Sequence, residues 1–424
     1  MARRELAVVG GGWAGLAAAV EATLQGDTVT LFEMAAQLGG RARRVDVDGV
    51  SLDNGQHILI GAYRETLRLM QVVGVAPADA FVRSPLRLVY PDGHGLKLPP
   101  GAPLLAFARG VVSVRAWPLR DRLALLAAAT GWAIRGFRCE PAQTVASLTA
   151  RLPHRVRDDL IDPLCVAALN TPSDNASASV FLRVIRDALF SGHGSADLLL
   201  PTRRLSELFP EPAARWLKAA GAHIELSQRV ERLTREGDQW CVDAIPFDHV
   251  VLATTAVEAA RLTSSIDIAW STQAEALRYE PIITVYAQSD GTRLPRPMLA
   301  LQADRTRWPA QFVFDQGQLG GRDGLLAFVI SGAQAWVDRG AEATCDATLR
   351  QADAMLSGLL SSPLRVQRLL TEKRATFSCV PGLQRPPVHV APGLSAAGDY
   401  VAGPYPATLE GALRSAIEAV RAPD

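Results

Sequence analysis

The sequence predicts an α/β protein in which a doubly wound parallel sheet is joined to an α+β part carrying an inserted helical module. Three observations predict it. An apolar strand runs into a glycine-rich turn within the first fifteen residues, a helical pattern and a second strand follow at once, and strand-then-helix alternation returns near 249–253 and 394–420. At 424 residues, 48% hydrophobic and 21% charged, the chain has room for roughly two to three domains, and its composition excludes a disordered, collagenous or coiled-coil protein. Forty-four basic against forty-three acidic residues leave a formal charge of +1, so the bulk electrostatics recruit no nucleic acid. The cysteines (139, 165, 241, 345, 379) are odd in number and lack C-x-x-C spacing, which argues against a disulfide framework and against a metal site.

Element by element, residues 6–9 form an apolar strand leading into Gly10, Gly11, Gly12, Trp13, Ala14 and Gly15. Residues 16–24 read as a helix and 29–32 as a strand ending at Glu33. Gly39, Gly40, Arg41, Ala42 and Arg43 follow, then a hairpin turning at Asp48 and Gly49. Next come a segment at 52–60 carrying Asp53, Asn54, Gly55, Gln56 and His57, and a helix at 63–73. Strands at 86–90 and 95–98 flank the Pro91-Asp92-Gly93 turn, and a helical tract over 104–189 is punctuated by Pro118, Pro141, Pro153 and Pro163. Further strands are expected at 198–200, 225–230, 240–242, 249–253, 281–288, 311–314, 325–330 and 394–397, with helices at 213–220, 343–360 and 408–420. The chain then divides into a nucleotide domain built from 1–75, 196–265 and 386–424, a substrate and helical module at 76–195, and a second substrate part at 266–385.

Gly10-x-Gly12-x-x-Gly15 is a dinucleotide fingerprint in the right context. The first glycine makes the turn, the second admits a pyrophosphate to the backbone of Trp13 and Ala14, and the third lets helix and strand pack closely. Glu33 falls where a carboxylate accepts two ribose hydroxyl hydrogens. Gly39, Gly40, Arg41 and Arg43 add backbone donors and guanidinium groups beside a diphosphate. There is one complete G-x-G-x-x-G, so a built-in second dinucleotide domain is not expected.

The two glycine motifs, with Gly398-Asp399 and the downstream Pro406, Leu409, Glu410 and Gly411, resemble the FAD site of the flavoprotein group that contains amine oxidases and carotenoid desaturases. That resemblance implies a Rossmann-like FAD-binding domain of the amine oxidase/phytoene desaturase type. It also implies Asp399 at the ribityl or pyrophosphate region, the helix at Thr408 and Leu409 aimed at the isoalloxazine, and an adenine contact from the strand containing Val230. The Ala253-Thr254-Thr255 stretch departs from the group's A-T-G strand by lacking its glycine.

Asp53-Asn54-Gly55-Gln56-His57, the stretch 164–171 ending in Asn170-Thr171, Leu200-Pro201 and Gly398-Asp399 together resemble the hydroxysqualene dehydroxylase family over essentially the whole chain. The resemblance implies reductive loss of an allylic hydroxyl from hydroxysqualene, giving squalene in bacterial squalene and hopanoid biosynthesis. FAD is the implied cofactor, an unidentified electron donor reduces it, and presqualene diphosphate synthase and hydroxysqualene synthase are pathway neighbours. A leaving hydroxide needs a proton or a strong donor. His57 is the first candidate, against a structural histidine bonded to backbone; Gln56, Asp53 and Gly55 are orienting or flavin-contact candidates. Asn170 either binds the hydroxyl or caps a helix before Pro172. The uncharged run 123–134, among Arg109, Arg115, Arg120 and Arg122, walls the lipid cavity, or touches a membrane surface, or is a core helix with a solvated arginine face. No secretory pattern precedes the first strand, so a cytoplasmic protein with peripheral contact to the inner face of the membrane is expected. The alternatives are a carotenoid desaturase, an amine oxidase, or a noncatalytic isoprenoid carrier on a flavin fold.

Overall fold

The computed structural model describes residues 3–47, 49–304 and 306–421; Asp48, named above for the hairpin turn, lies outside them. The strand Glu5–Val9 is buried from Leu6 onward, and Thr28–Glu33 pairs with it in parallel. The continuous apolar run on both strands is what a sheet covered on both faces requires. Six strands order themselves as 223–226, 28–33, 5–9, 249–252, 394–396 and 389–391, all parallel neighbours except the last pair. The helix Trp13–Gln25 covers one face and packs on the helix Leu409–Arg421, so the two ends of the chain share one core.

A second sheet of five strands runs Met298–Ala300, Phe312–Asp315, Leu325–Ile330, Tyr279–Gln288 and Arg365–Phe377. Strand periodicity divides it between two cores. Leu326, Phe328 and Ile330 face a cluster with Trp336, Ala347 and Leu356, whereas Leu325, Ala327 and Val329 face the main core. The helix Ala341–Leu356 covers the former side. Between the sheets lies the helical tract, with Pro103–Ser113, Leu119–Ile134, Asp162–Leu169 and Ala178–Phe190 as its longest helices among the described residues.

The expected strands and helices occur at most of their positions, and the α/β class with its parallel sheet is observed. The strand expected at 225–230 is His223–Leu226 instead, because Ser227 has a positive φ of 58° and turns the chain out of the sheet. Val230 therefore lies in the following loop. Residues 198–201 do not join the parallel sheet; they pair antiparallel with Leu59–Ile60 and Phe81–Ser84. In the helical tract, Asp159 accepts from the Trp117 indole at 2.9 Å and Asp162 from Ser173 at 2.6 Å.

Candidate functional site

The site begins at the turn after the first strand. Gly10 has φ of 109°, and a Cβ there would stand 2.6 Å from the Ala253 carbonyl oxygen. A Cβ on Gly15 would stand 1.7 Å from the Gly10 carbonyl oxygen. Both positions are glycine because two backbones meet. Gly12 differs: its backbone is extended, and a Cβ would find nothing nearer than the Gly40 Cα at 3.9 Å. Gly12 faces the second glycine pair across a parallel bridge to Gly39, whose N–H donates to Gly11 O at 2.9 Å. The helix Trp13–Gln25 starts here with no side-chain cap, so the N–H groups of its first turn, Trp13 to Gly15, point into the space that Gly12 and Gly40 border.

Glu33 closes this corner. Its carboxylate accepts from Gly11 N at 2.6 Å and Ala35 N at 2.8 Å. Arg43 folds back on the Gly40 carbonyl at 2.7 Å. Arg41 reaches the opposite way, donating to the carbonyls of Arg374 and Ala375 and pairing with Asp399 at 2.5 Å. Two residues expected at the cofactor thus hold each other across 358 positions of sequence. Asp399 opens a loop that turns back on itself: Ala407 N donates to Asp399 O, Tyr405 and Ala407 have φ of 59° and 58°, and Thr408 Oγ1 accepts from Gly411 N at 3.0 Å to cap the last helix. Val230 is buried, and its carbonyl takes the Arg261 guanidinium at 2.8 Å.

The 53–57 loop lies along the seam between the parallel sheet and the five-stranded sheet. Tyr286 Oη donates to Asp53 O, Asn54 donates to Arg41 O and to the Glu372 carboxylate, and Gln56 Oε1 accepts from Gln316 Nε2 at 2.9 Å. The Asp53 carboxylate accepts from Leu205 N at 2.9 Å, and burial raises its pKa to about 6. His57 Nδ1 lies 3.3 Å from Gly55 O. Burial and the positive field of Arg41 lower the His57 pKa, so the ring is neutral near pH 7, and donation from Nδ1 leaves Nε2 as an acceptor. Asn170 settles on the cap: it ends the helix Asp162–Leu169 at φ of 47°, its amide donates to Glu280 O and Thr376 Oγ1, and its oxygen accepts from Gly332 N. With both amide hydrogens committed it has no donor to offer a substrate.

Sequence reasoning missed the strand Arg365–Phe377, which supplies Glu372, Thr376 and the carbonyls that hold Arg41. Its apolar positions, Val366, Leu369, Leu370 and Phe377, stand among charged residues with no period of two, so the sequence carried no signal for it. Thr284 was missed as well, and it shares a feature with Tyr400. Their hydroxyl oxygens are buried without a partner, Thr284 Oγ1 lies 3.9 Å from where a Gly55 Cβ would be, and Tyr400 adjoins Asp399.

The residues present fit a dinucleotide cofactor: an uncapped helix start, a cradle that a Cβ at Gly12 would fill, a carboxylate at the end of the second strand, and unpartnered hydroxyls along the seam. Two hollows lie near. One of about 210 Å³ is lined by Ser177, Val180, Phe377, Cys379, Leu383 and Pro406, with Arg385 at its edge. The other, about 1280 Å³, is a groove whose lining mixes charged side chains, Glu65, Arg68 and Arg414 among them, with apolar ones such as Val388, Pro392 and Ile417. Burial raises the thiol pKa of Cys379 to about 12 and that of Cys165 further, so neither is a thiolate nucleophile.

Known proteins are similar to this chain over most of its length. A protein named hydroxysqualene dehydroxylase from Sinorhizobium fredii is 27% identical over 96% of the chain and 95% of its own length, and one from Rhodopseudomonas palustris is 27% identical over the same shares. The resemblance found in the sequence thus holds at nearly full length. A zeta-carotene desaturase from Synechocystis is 40% identical but over 16% of the chain and 14% of its own length. Among solved structures, an oxidoreductase from Methanosarcina mazei superposes with a TM-score of 0.73, covering 98% of this chain and 99% of its own at 16% identity. A cyclohexylamine oxidase from Brevibacterium oxydans gives 0.67 over 99% and 98% at 16%; at such identity the likeness is one of fold. The model of the flavin containing amine oxidoreductases matches residues 13–422, and the chain belongs to that family.

Proposed function

We propose that this flavin-dependent oxidoreductase binds FAD and reductively removes the allylic hydroxyl of hydroxysqualene, forming squalene and water. The observation that carries the reading is the near full-length likeness to proteins named hydroxysqualene dehydroxylase, against a carotene desaturase likeness confined to a short segment. When bound and fully reduced, the cofactor would supply both the hydride that goes to the carbon and the proton with which the hydroxide leaves as water.

In this reading the N–H groups of Trp13, Ala14 and Gly15, with Gly10, Gly12, Gly39, Gly40 and Arg43, hold the diphosphate. Glu33 takes the ribose and Val230 the adenine through its backbone. Asp399 and Arg41 hold the ribityl side, and the helix start at Thr408 and Leu409 favours negative charge at the ring. Gly55 keeps the 53–57 loop close to the Thr284 hydroxyl. Gln56, its oxygen held by Gln316, donates from its amide to the departing oxygen, and neutral His57, bonded at Nδ1 to Gly55 O, positions the loop that carries it. Asp53 acts one step back by fixing the segment at Leu205. Apolar walls beside Phe377 and Pro406 exclude water from the reacting carbon.

The test compares two directions of electron flow. Protein reduced under anaerobic conditions is mixed with hydroxysqualene, and oxidised protein with a carotene of fewer double bonds, and both lipid extracts are analysed by mass. Squalene from the first mixture supports the proposal, and dehydrogenated carotene from the second with no squalene from the first overturns it. Cofactor released by denaturation and weighed as FAD rather than FMN tests the other half.

A further inference from the structure

Exposed apolar side chains are unevenly distributed. Of the twelve large hydrophobic residues that stand most open to solvent among the described residues, Leu104, Leu105, Val112, Leu119, Leu123 and Ile134 lie within one stretch of chain, on the packed helices Pro103–Ser113 and Leu119–Ile134. The other six (Leu24, Met34, Leu226, Ile245, Val257 and Ile268) are dispersed over separate elements.

Helical spacing makes the second helix two-faced. Asp121, Leu125 and Trp132 point inward, while Leu119, Leu123, Ala127, Thr130 and Ile134 form an uncharged exposed stripe at spacings of three and four. Ile134 is 82% exposed, which for so apolar a side chain marks a contact surface. Charge points the same way. Between residues 101 and 138 stand six arginines (109, 115, 120, 122, 135 and 138) and one carboxylate, the buried Asp121. This stretch therefore carries +5 in a chain whose total is +1. Arg122 is used internally, bonding Trp117 O and Val112 O to lock the helices together; the other five arginines are exposed. Among the described residues no helix is long and apolar enough to cross a membrane, so the face is suited to lying along one.

We propose that the outer faces of these two helices seat the protein on an anionic lipid bilayer, the apolar stripe in the acyl boundary and the exposed arginines at the phosphates. The proposal does not depend on which lipid is the substrate.

Flotation of the flavin-loaded protein tests it, using vesicles of phosphatidylcholine alone and vesicles in which phosphatidylglycerol replaces part of it, at low and high salt. The protein floats with the phosphatidylglycerol vesicles, less so as salt rises, and poorly with phosphatidylcholine. Each of Arg109→Gln and Arg135→Gln weakens partitioning about fivefold. The double variant Leu119→Glu/Leu123→Glu abolishes flotation while thermal melting and bound flavin stay unchanged; if it does not fold, Leu119→Ser/Ile134→Ser carries the same test. Native protein that floats with no vesicle, or variants that float as the native chain does, would overturn the proposal. So would light scattering that reveals a dimer dissolved by the same substitutions in a protein that does not bind vesicles.

Discussion

Asn170 shows how far a residue's part can be read from its neighbours in sequence. The string ending in Asn170-Thr171-Pro172 left two roles open; its left-handed backbone ends the helix, and three side-chain hydrogen bonds to partners 110, 162 and 206 positions away occupy its amide. Such partners have no local signature. Asn170→Ala leaves Gly332 N without its acceptor and forces alanine to a φ of 47°, so urea unfolding should show a loss of roughly 3 kcal/mol. The same holds for Asp53, whose motif was legible but whose partner Leu205 was not. Burial raises its pKa from 3.8 to about 6, with Arg204, Arg44 and Glu207 facing it. Between those values the native state keeps a proton that the unfolded chain releases. The stability it contributes is therefore full below pH about 4 and is lost as pH rises through about 6. Asp53→Asn, which still offers Leu205 an acceptor, should flatten that slope, leaving the variant more stable than the native chain by about 2 kcal/mol at pH 7. A slope unchanged in the variant would assign the titration elsewhere.

At the scale of elements, the glycine turn was the most legible feature, because close backbone approach admits no other residue. It also permits a clean separation of folding from binding. Gly15→Ala drives a Cβ into the Gly10 carbonyl and should cost more than about 3 kcal/mol, with little folded protein recovered. Gly12→Ala meets only the Gly40 Cα at 3.9 Å, so it should melt like the native chain when flavin is absent and retain far less flavin after gel filtration. Equal flavin retention in Gly12→Ala would put the diphosphate elsewhere. The strand Arg365–Phe377 was illegible for the opposite reason. Mostly half-exposed, it carries arginine, lysine and glutamate between its apolar positions, and its pairing with Tyr279–Gln288 is what makes it a strand. The loop at Val230 was misread because nothing local in the sequence marks Ser227 as the point where the chain turns out of the sheet.

Over the whole molecule, the parallel sheet collects strands from residues 5–33, 223–252 and 389–396, and its final helix covers the first. Sequence made the opening strand, turn and helix plain, but not the seam where Arg41, Asn54, Asn170 and Asp399 meet the five-stranded sheet. Every contact there spans a large part of the chain. Ending the chain after Ala375 removes the strands His389–Ala391 and Leu394–Ala396 together with the helix Leu409–Arg421. It uncovers the edge of His249–Leu252 and the apolar face of Trp13–Gln25, and the truncated protein should be recovered as aggregate in a solubility assay. The account as a whole rests on electrons moving from the protein to an allylic alcohol. The most direct measurement is a single turnover of the reduced, flavin-loaded protein with hydroxysqualene under anaerobic conditions, following flavin absorbance and lipid mass together. The account predicts that squalene appears in step with flavin reoxidation, one molecule for each flavin reoxidised; a flavin that stays reduced over unchanged hydroxysqualene would contradict it.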